Sequence, residues 1–334
     1  MRFFKLRVTR RCVSKSRFLR RTLAGLLVAA GLVQNHSGAQ AEIIAEEPFA
    51  YGSTAGVLAG KNGGTGFSTA WADQQLSGSN PLVPWDYTPN GLTFGSVATS
   101  GGAARWTNGS DNTRAGQANR QLTTSLTSNV YGTFLFRIDE RPTTSNSTAA
   151  LLIGTQTASD GSASFTMNAP QFGTGSIEGA VRINGSEDNF LGNGGSPLTV
   201  GNGTVGSGTT YMALFEYDPT VASSQGWILS LDQFVNFAGS STLTPTDLDN
   251  AALGSGSTQV MQRGGLSGTT GSNDYLALFG AFENLNVTYD EIRLSNTSLS
   301  EAAAVPEPST LALAGFGILG AVAYQIRRRK KLAA

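Results

Sequence analysis

The sequence predicts an all-β fold, a two-sheet antiparallel jelly-roll sandwich, for residues 42–298 of the 334-residue chain. Glycine, serine, threonine and asparagine dominate this part, and short apolar runs recur between turn-forming residues. No segment of about 12 residues or more has the 3.6-residue periodicity of an amphipathic helix. Repeats of fixed period are also missing, which disfavours propellers and solenoids. The sequence therefore predicts one large domain with its own core.

The strand predictions rest on the alternation of apolar and polar residues, which is clearest at 131–139. There Phe134, Phe136 and Ile138 fall on one face, which we expect to point into the core. The predicted strands are 92–98, 131–139, 149–153, 164–168, 179–184, 211–217, 227–231, 275–282 and 287–294.

Residues 1–41 are predicted to be a signal peptide that directs export. A long basic start is followed by an apolar run at 23–33, which is too short to span a membrane. Ala39 and Ala41 then form the small-x-small pattern that signal peptidase accepts, so we expect cleavage before Glu42. These features favour the general secretion machinery.

The end of the chain, 305–334, is predicted to contain a sorting motif, one transmembrane helix and a basic cluster. The motif at 305–309 precedes an apolar helix at 310–326, slightly short of the ~20 residues that span a bilayer squarely. The basic cluster at 327–331 keeps this end in the cytoplasm, so the preceding residues lie outside. Residues 299–304 are the predicted linker, with room for a turn or two of helix at most. The motif is Val305, Pro306, Glu307, Pro308 and Ser309, and the cluster is Arg327, Arg328, Arg329, Lys330 and Lys331.

This three-part tail resembles the PEP-CTERM sorting signal of Gram-negative bacteria. In that family a Pro-Glu-Pro motif, one transmembrane helix and an Arg-rich end are recognised by an exosortase, a membrane cysteine transpeptidase. The resemblance implies that the exosortase acts near 305–309 and that the chain is its substrate. It also implies transient anchoring in the inner membrane, then delivery to the cell surface, outer envelope or extracellular matrix, in association with exopolysaccharide.

Composition excludes several classes of function for the exported part, 42–304. This part has nine basic and 22 acidic residues, a net charge of about −13, which argues against nucleic acid or an anionic membrane surface as a partner. The single cysteine, Cys12, and the single histidine, His36, both lie in the signal peptide. Disulfides, thiolate or imidazole zinc sites, and Ser-His-Asp or Cys-His catalysis are therefore excluded there.

Three parts of the exported domain have sequences that can be compared with a known family. They are Glu47-Pro48-Phe49-Ala50-Tyr51 with Gly63-Gly64-Thr65-Gly66-Phe67 and Trp71, then Thr99-Ser100-Gly101-Gly102-Ala103-Ala104-Arg105, and finally Tyr289-Asp290-Glu291-Ile292-Arg293-Leu294-Ser295. These parts resemble the concanavalin A-like, laminin-G-like domains found in PEP-CTERM proteins. The resemblance implies a jelly-roll sandwich in which the first and last strands lie side by side in one sheet.

The sequence offers little support for glycoside hydrolysis, which needs two carboxyl groups flanking the scissile bond. Glu216 and Asp218 are the nearest approach, but no third acid follows, and we expect them to be acids at a strand end entering a turn. Asp290 and Glu291 are adjacent, so regular alternation places them on opposite faces. We expect Glu291 to form an ion pair with Arg293 instead.

Calcium is the only cofactor that the sequence suggests. Hard cations prefer carboxylate, amide and carbonyl oxygens, and the loops of this domain are rich in aspartate and asparagine. None of the candidate loops has a spacing that specifies a site, so the metal ligands stay unknown. The candidates are Asp111-Asn112, Glu187-Asp188-Asn189, Asp247, Asp249-Asn250 and Asn273-Asp274.

Aromatic residues could form a platform on which sugar rings stack. Trp71 and Trp227 are expected to be core residues, since large aromatic side chains are more often buried. Trp85-Asp86-Tyr87 stands between two prolines in a predicted loop, so these three residues are the candidate exposed ligand surface.

Three functions remain open at this level. The first is an exported, non-enzymatic surface or matrix protein that associates with exopolysaccharide. The second is a lectin-like carbohydrate-binding module, with or without calcium. The third is a glycoside hydrolase or lyase.

Overall fold

The structure is a computed structural model that describes most of the predicted exported domain. Residues 1–42 and 304–334, with the predicted signal peptide, sorting motif, transmembrane helix and basic cluster, lie outside the described residues. Within the described part, no helix has the length and apolar character needed to cross a membrane. The described residues are 43–74, 83–95, 97, 99, 101–107, 115–140, 148–156, 163–173, 176–183, 208–220, 223–235, 237, 243–248, 260–263, 273–281 and 285–303.

Strands dominate the described part, and its helices are short. The strands are β1 (Ile43–Glu47), β2 (Gly56–Val57), β3 (Ala72–Gln74), β4 (Asp86–Thr88), β5 (Ala103–Thr107), β6 (Ala115–Gln121), β7 (Val130–Glu140), β8 (Thr148–Gly154), β9 (Phe165–Gly173), β10 (Ser176–Ile183), β11 (Thr210–Asp218), β12 (Ser223–Leu229), β13 (Val260–Arg263), β14 (Tyr275–Ala281) and β15 (Asn286–Ser295). The helices are α1 (Leu231–Val235) and α2 (Leu299–Ala302), and residues 245–248 form one more helical turn.

The strands form two antiparallel sheets. The large sheet has the order β13-β12-β11-β7-β15-β5-β4-β2, with β1 pairing with β15, and the small sheet has the order β10-β9-β8-β14-β6-β3. Ile43 of β1 pairs with Ser295 of β15, so the first and last strands lie side by side as the resemblance implied. The predicted all-β, two-sheet antiparallel fold is confirmed.

The main core lies between the inner faces of the two sheets. Phe134, Phe136 and Ile138 of β7 are buried there, as the alternation predicted. Phe165 of the small sheet packs on Phe215 of the large sheet, with ring centroids 4.6 Å apart. Burial of large side chains from both sheets is the main source of stability in such a sandwich.

A second apolar layer covers part of the outer face of the large sheet, and we call it the outer layer. Trp227 on β12 is buried in it, beneath Phe234 of α1 and Leu299 of α2. The predicted strand 92–98 also belongs here. Its Leu92 and Phe94 are buried in the outer layer. The described residues of the segment, 92–95 and 97, form an isolated bridge between Phe94 and Val97 and no strand, so the strand prediction is wrong for them.

The predicted linker at 299–304 is also wrong for the residues that the structure describes. Leu299, Ala302 and Ala303 are buried against the large sheet. Ser298 caps α2, and its hydroxyl accepts a hydrogen bond from the backbone N–H of Glu301, three residues on, as in a capping box. The helix at Leu299–Ala302 agrees with the turn or two that the sequence allowed in this segment.

A buried ion pair between Glu47 and Arg120 joins the two sheets. Glu47 ends β1 of the large sheet, whereas Arg120 lies on β6 of the small sheet, and both side chains are 1% exposed or less. The Glu47 carboxylate also accepts hydrogen bonds from the Phe49 N–H (2.8 Å), the Tyr51 hydroxyl (2.6 Å) and the Trp71 indole N–H (3.1 Å). These extra bonds matter, because a buried charge pair is favourable only when its remaining atoms are satisfied.

The Arg120 guanidinium is satisfied in the same way. Its nitrogens donate to the carbonyl oxygens of Thr69 and Gly63, each at about 2.9–3.0 Å, and to the side-chain oxygen of Asn62 at 2.9 Å. The guanidinium also lies over the Phe67 ring, 4.2 Å from its centroid. The cluster thereby fixes the whole segment between β1 and β3.

Two glycines let this segment pass close to β1. Gly64 and Gly66 have φ values of +68° and +80°, which favour glycine. A Cβ on Gly64 would lie 2.3 Å from the Glu46 carbonyl oxygen, and one on Gly66 would lie 2.0 Å from that of Ile44. Thr65 between them exchanges two backbone hydrogen bonds with Glu46.

A bulge in β15 interrupts the expected alternation of Asp290 and Glu291. The register with β7 shifts between Asp290 and Arg293, and Glu291 has a φ of +49°. The expected ion pair of Glu291 with Arg293 is confirmed, at 2.9 Å. The two side chains are only 2% and 9% exposed, so this pair is buried.

Asp290 lies beneath the loop that carries Leu92. Burial raises its pKa to about 8, and the neighbouring Glu291 charge acts in the same direction. The carboxyl group accepts hydrogen bonds from the backbone N–H groups of Leu92 and Glu291, both at 2.7 Å, which partly offset the shift.

The first prediction concerns the pair that joins the sheets. Glu47→Gln leaves the Arg120 charge buried without a counter-charge, so we expect the free energy of unfolding to fall by about 3–5 kcal/mol. Denaturant titration of the full chain measures this. The matched control is Glu46→Gln on the same strand, whose pair with Arg293 involves a carboxylate that is 39% exposed and should cost about 1 kcal/mol or less. Equal losses in the two variants would contradict the assigned role of Glu47.

The second prediction concerns pH. The folded state keeps a proton on Asp290 up to about pH 8, whereas the unfolded chain loses it near pH 4, so folding binds a proton between these values. The contribution of Asp290 to stability therefore falls as pH rises through this window, by up to about 1.4 kcal/mol per pH unit. In Asp290→Asn this slope should disappear. Parallel curves of unfolding free energy against pH for the wild type and the variant would contradict the prediction.

Candidate functional site

The structure contradicts the prediction that Trp85, Asp86 and Tyr87 form an exposed ligand surface. Trp85 and Tyr87 are 0% and 1% exposed, so their expected exposure is wrong, and only Asp86 reaches the surface. The reason is strand alternation, because Asp86–Thr88 forms β4 and pairs with β5. The Trp85 ring packs against Trp106 and Tyr289, at 5.7 and 5.5 Å between centroids.

All four tryptophans of the chain are buried. The core prediction for Trp71 and Trp227 is confirmed, and Trp106 is buried with them. A tryptophan platform for sugar rings is therefore not part of this fold.

Glu216 and Asp218 are acids at a strand end, as expected. The Glu216 carboxylate accepts a hydrogen bond from the Asn129 side-chain amide at 2.6 Å. The Asp218 carboxylate accepts from the backbone N–H and the hydroxyl of Thr220, at 2.8 and 2.6 Å, and so closes the turn after β11. Both carboxylates serve local structure.

The described calcium candidates are also engaged in local structure. Asp247 accepts hydrogen bonds from the N–H and hydroxyl of Thr244, at 3.0 and 2.6 Å, at the start of a helical turn. The Asn273 amide donates to the Leu126 carbonyl oxygen and accepts from Tyr217. Among the residues that the structure describes, no three acidic, histidine or cysteine side chains converge. Asp111, Asn112, Glu187, Asp188, Asn189, Asp249 and Asn250 lie outside the described residues.

Part of the outer face of the large sheet carries a set of paired charges, which we call the charged ladder: Asp86, Arg105, Asp139 and Arg137. Asp139 is its centre, 2.6 Å from the Arg137 Nε and 3.8 Å from the Arg105 Nε. Thr288 donates a hydrogen bond to the same carboxylate at 2.5 Å. Asp86 on β4 stands opposite Arg105 on β5 in the strand register. These charges balance one another within the protein.

Two acids interact at the edge of the sandwich: Asp86 of the predicted ligand surface and Asp73, which the sequence did not single out. Asp73 lies on β3 of the small sheet and Asp86 on β4 of the large sheet. Burial raises the pKa of Asp73, and the charge of Asp86 raises it further. Burial also raises the pKa of Asp86, whereas Arg105 lowers it. A carboxyl group with a raised pKa can act as a general acid.

Amide side chains form part of the outer face of the small sheet, and we call this part the amide face: Gln74 on β3, with Gln117, Asn119 and Gln121 on β6. Gln74 stands opposite Gln117 in the register, and Phe279 of β14 stands opposite Gln117 on its other side. Asp73 stands opposite the core residue Ala118, and Arg120 reaches Glu47, so these charged side chains of β3 and β6 alternate with the amides.

Two amides of this face, those of Gln117 and Asn119, are buried, but only one of them has its hydrogen bonds satisfied. Asn119 is 3% exposed and donates to the side-chain oxygen of Gln74 and to the carbonyl oxygen of Gln156, the latter at 3.0 Å. Gln117 is 1% exposed, and neither its side-chain oxygen nor its nitrogen has a hydrogen-bond partner. Among the described side chains, Gln117 is the only one with two buried polar atoms that lack a hydrogen-bond partner.

Sequence reasoning missed this face, although one signal was present. Gln117, Asn119 and Gln121 alternate with the small or inward-facing residues of β6. Their juxtaposition with Gln74 and Phe279 depends on pairing with distant strands, which a single strand does not reveal.

Comparison with solved structures finds proteins with low sequence identity. The protein described as cellulose induced protein Cip1 is 11% identical, with a TM-score of 0.41, over 68% of this chain and 92% of that one. A seed lectin of Lotus tetragonolobus is 10% identical, with a TM-score of 0.39, over 73% and 97%. Lectin II from Ulex europaeus is 9% identical, with a TM-score of 0.35, over 60% and 88%. Likenesses of this size say nothing about what the present chain binds.

Comparison with protein families gives one match, and no curated protein matches the chain. The match is to the PEP-CTERM protein-sorting motif and covers residues 304–329. It includes all of the motif predicted at 305–309 and the apolar segment that follows, so the predicted sorting signal is confirmed. A signal of this kind implies an exported protein with an exosortase as its processing partner. The chain carries a PEP-CTERM protein-sorting motif at residues 304–329.

Proposed function

We propose that this chain is an exported, non-enzymatic protein of the cell surface or extracellular matrix, processed at its C-terminus by an exosortase. The observation that carries the proposal is the sorting motif at 304–329. After export the apolar segment 310–326 holds the chain in the inner membrane, and cleavage near 305–309 releases the domain toward the envelope.

The positions of the domain's ends support this order of events. β1 begins at Ile43, directly after the expected mature N-terminus at Glu42. At the other end the packed residues run to Ala303, immediately before the sorting motif. Cleavage by signal peptidase before Glu42 and by the exosortase near 305–309 would therefore leave every described core residue in place.

A non-enzymatic role is supported by how the acids are used. Glu47, Glu216 and Asp218 each bind neighbouring donors within the fold, and Asp139 neutralises two arginines. Association with exopolysaccharide, as a matrix component or a lectin-like module, follows as the role of the exported domain.

Glycoside hydrolysis is the second candidate, and one observation favours it. Asp73 and Asp86 are two interacting carboxyl groups at the sandwich edge, and burial raises the pKa of both. Two carboxyl groups, one of them protonated, are what the reaction requires.

The third prediction tests sorting. In native cells, mass spectrometry of the mature protein should find an N-terminus at Glu42 and a C-terminus within 305–309. Replacing both Pro306 and Pro308 with alanine should leave the tail attached, because the recognition motif is lost. Thr310→Ala, directly outside the motif, is the control and should be processed normally. A mature wild-type protein that still ends at Ala334 would contradict processing and leave a plain membrane anchor.

The fourth prediction tests the absence of hydrolysis. The full chain, purified in detergent, should release no reducing ends from laminarin, xylan or dextran. Release that is lost in Asp73→Asn but kept in the double variant Glu216→Gln, Asp218→Asn would make the chain a hydrolase and overturn the non-enzymatic proposal.

A further inference from the structure

We propose that the C-terminal helix α2 (Leu299–Ala302) controls exosortase processing through an autoinhibitory contact. Packed on the large sheet, α2 withholds the chain from the enzyme, and processing occurs when α2 opens. The inference rests on the proposed function, since it takes processing near 305–309 as given. It adds the step that sets the rate and the residues that determine it.

Almost no free chain separates the folded domain from the sorting motif. Leu299 is 1% exposed, and Ala302 and Ala303 are 0% exposed, whereas the matched motif begins at residue 304. An extended chain spans at most about 3.6 Å per residue, so Pro306 lies within about 11 Å of Ala303. An enzyme that reaches the motif must therefore work against the surface of the domain.

The backbone groups on the N-terminal side of the motif are already used by α2. Extended peptides are bound through main-chain hydrogen bonds, and an enzyme that cleaves near 305 holds residues on both sides of the bond. Here the Ala302 N–H donates to the Ser298 carbonyl oxygen at 3.3 Å, and the Ala303 N–H donates to that of Leu299 at 2.8 Å. Residues 299–303 cannot be extended in an enzyme cleft while these helical bonds persist.

The sandwich does not have to unfold for α2 to open. This helix is a single turn, too short to be stable apart from the sheet, so it unfolds when it detaches. It contacts β7, β15 and β11, and these strands pair with one another independently of it. Chain ends of this kind have low local stability. Opening frees residues 298–303 and gives the enzyme about 20 Å of additional chain.

Three contacts hold α2 closed. The Ser298 hydroxyl accepts a hydrogen bond from the Glu301 N–H at 3.3 Å, and the Glu301 carboxylate accepts one from the Ser295 hydroxyl at 2.9 Å. Leu299 is buried in the outer layer. When opening and closing are faster than cleavage, the rate of cleavage follows the population of the open form. Weakening these contacts should therefore speed processing.

The fifth prediction tests α2 by weakening its cap. In Ser298→Ala the capping hydroxyl is lost, so the tail-bearing form should disappear at least threefold faster in native cells, as measured by pulse-chase labelling and mass spectrometry. The matched control is Thr69→Ala, because the Thr69 hydroxyl also accepts from a backbone N–H, that of Gln121 in the small sheet, at 2.9 Å. Its processing should be unchanged.

Hydrogen exchange of the full chain in detergent is the second readout. Residues 298–303 should exchange faster in Ser298→Ala by a similar factor, and at the wild-type rate in Thr69→Ala. A stronger variant, Leu299→Ala, should speed processing at least tenfold. Its control is Leu276→Ala, which removes an equally buried leucine from the main core on β14 and should leave the rate unchanged.

A linker variant separates opening of α2 from every other effect on the enzyme. Ten alternating glycine and serine residues inserted between Ala304 and Val305 supply free chain without changing the packed domain. Processing of this variant should be fast, and adding Ser298→Ala should not speed it further.

Three results would overturn the proposal. They are faster exchange of 298–303 without faster processing, equal acceleration by Leu276→Ala and Leu299→Ala, or slower processing of Ser298→Ala. The last would mean that the enzyme recognises the packed helix. All three require a wild type that is processed, whereas a wild type that still ends at Ala334 removes the proposed function itself, so the two failures are distinguishable.

Discussion

The fold depends on one buried charge pair, Glu47 with Arg120. It is the point at which the first strand of the large sheet, the segment before β3 and the small sheet are held together. A charge pair so deeply buried is favourable only in a complete shell of hydrogen bonds, and the donors and acceptors of that shell come from residues 49–71. The sandwich is therefore stable only when the irregular segment 49–71 follows the path that brings these donors and acceptors to the pair.

This dependence explains why the residues behind the family resemblance turn out to be structural. Glu47 is one member of the charge pair, Tyr51 and Trp71 donate hydrogen bonds to it, and Gly64 and Gly66 allow the close approach to β1. In the last segment, Asp290 holds the loop of Leu92, and Glu291 and Arg293 pair within the fold. The resemblance is thus a resemblance in scaffold. A ligand site has to be sought on residues that the scaffold does not use.

Much of the fold could be predicted from sequence, because strand alternation is a local property. Phe134 and Phe136 show this, since their spacing alone identifies the core face of β7. The failures share one physical cause. Leu92 and Phe94 alternate like a strand but pack onto a sheet, and Leu299 looks like part of a linker but seals the outer layer. Apolar spacing reveals that a side chain will be buried, but it does not reveal which surface will bury it.

The site was harder to predict, because it depends on which polar groups are left unsatisfied once the chain has folded. Gln117 resembles the other polar residues of the sequence until β3 and β14 flank it. The outer face of the large sheet is different where the structure describes it, since the outer layer covers one part and the charged ladder neutralises itself on another. On the small sheet the fold buries the Gln117 amide without a hydrogen-bond partner. Which polar groups are satisfied is therefore a property of the assembled sheets, and the sequence of a single strand does not reveal it.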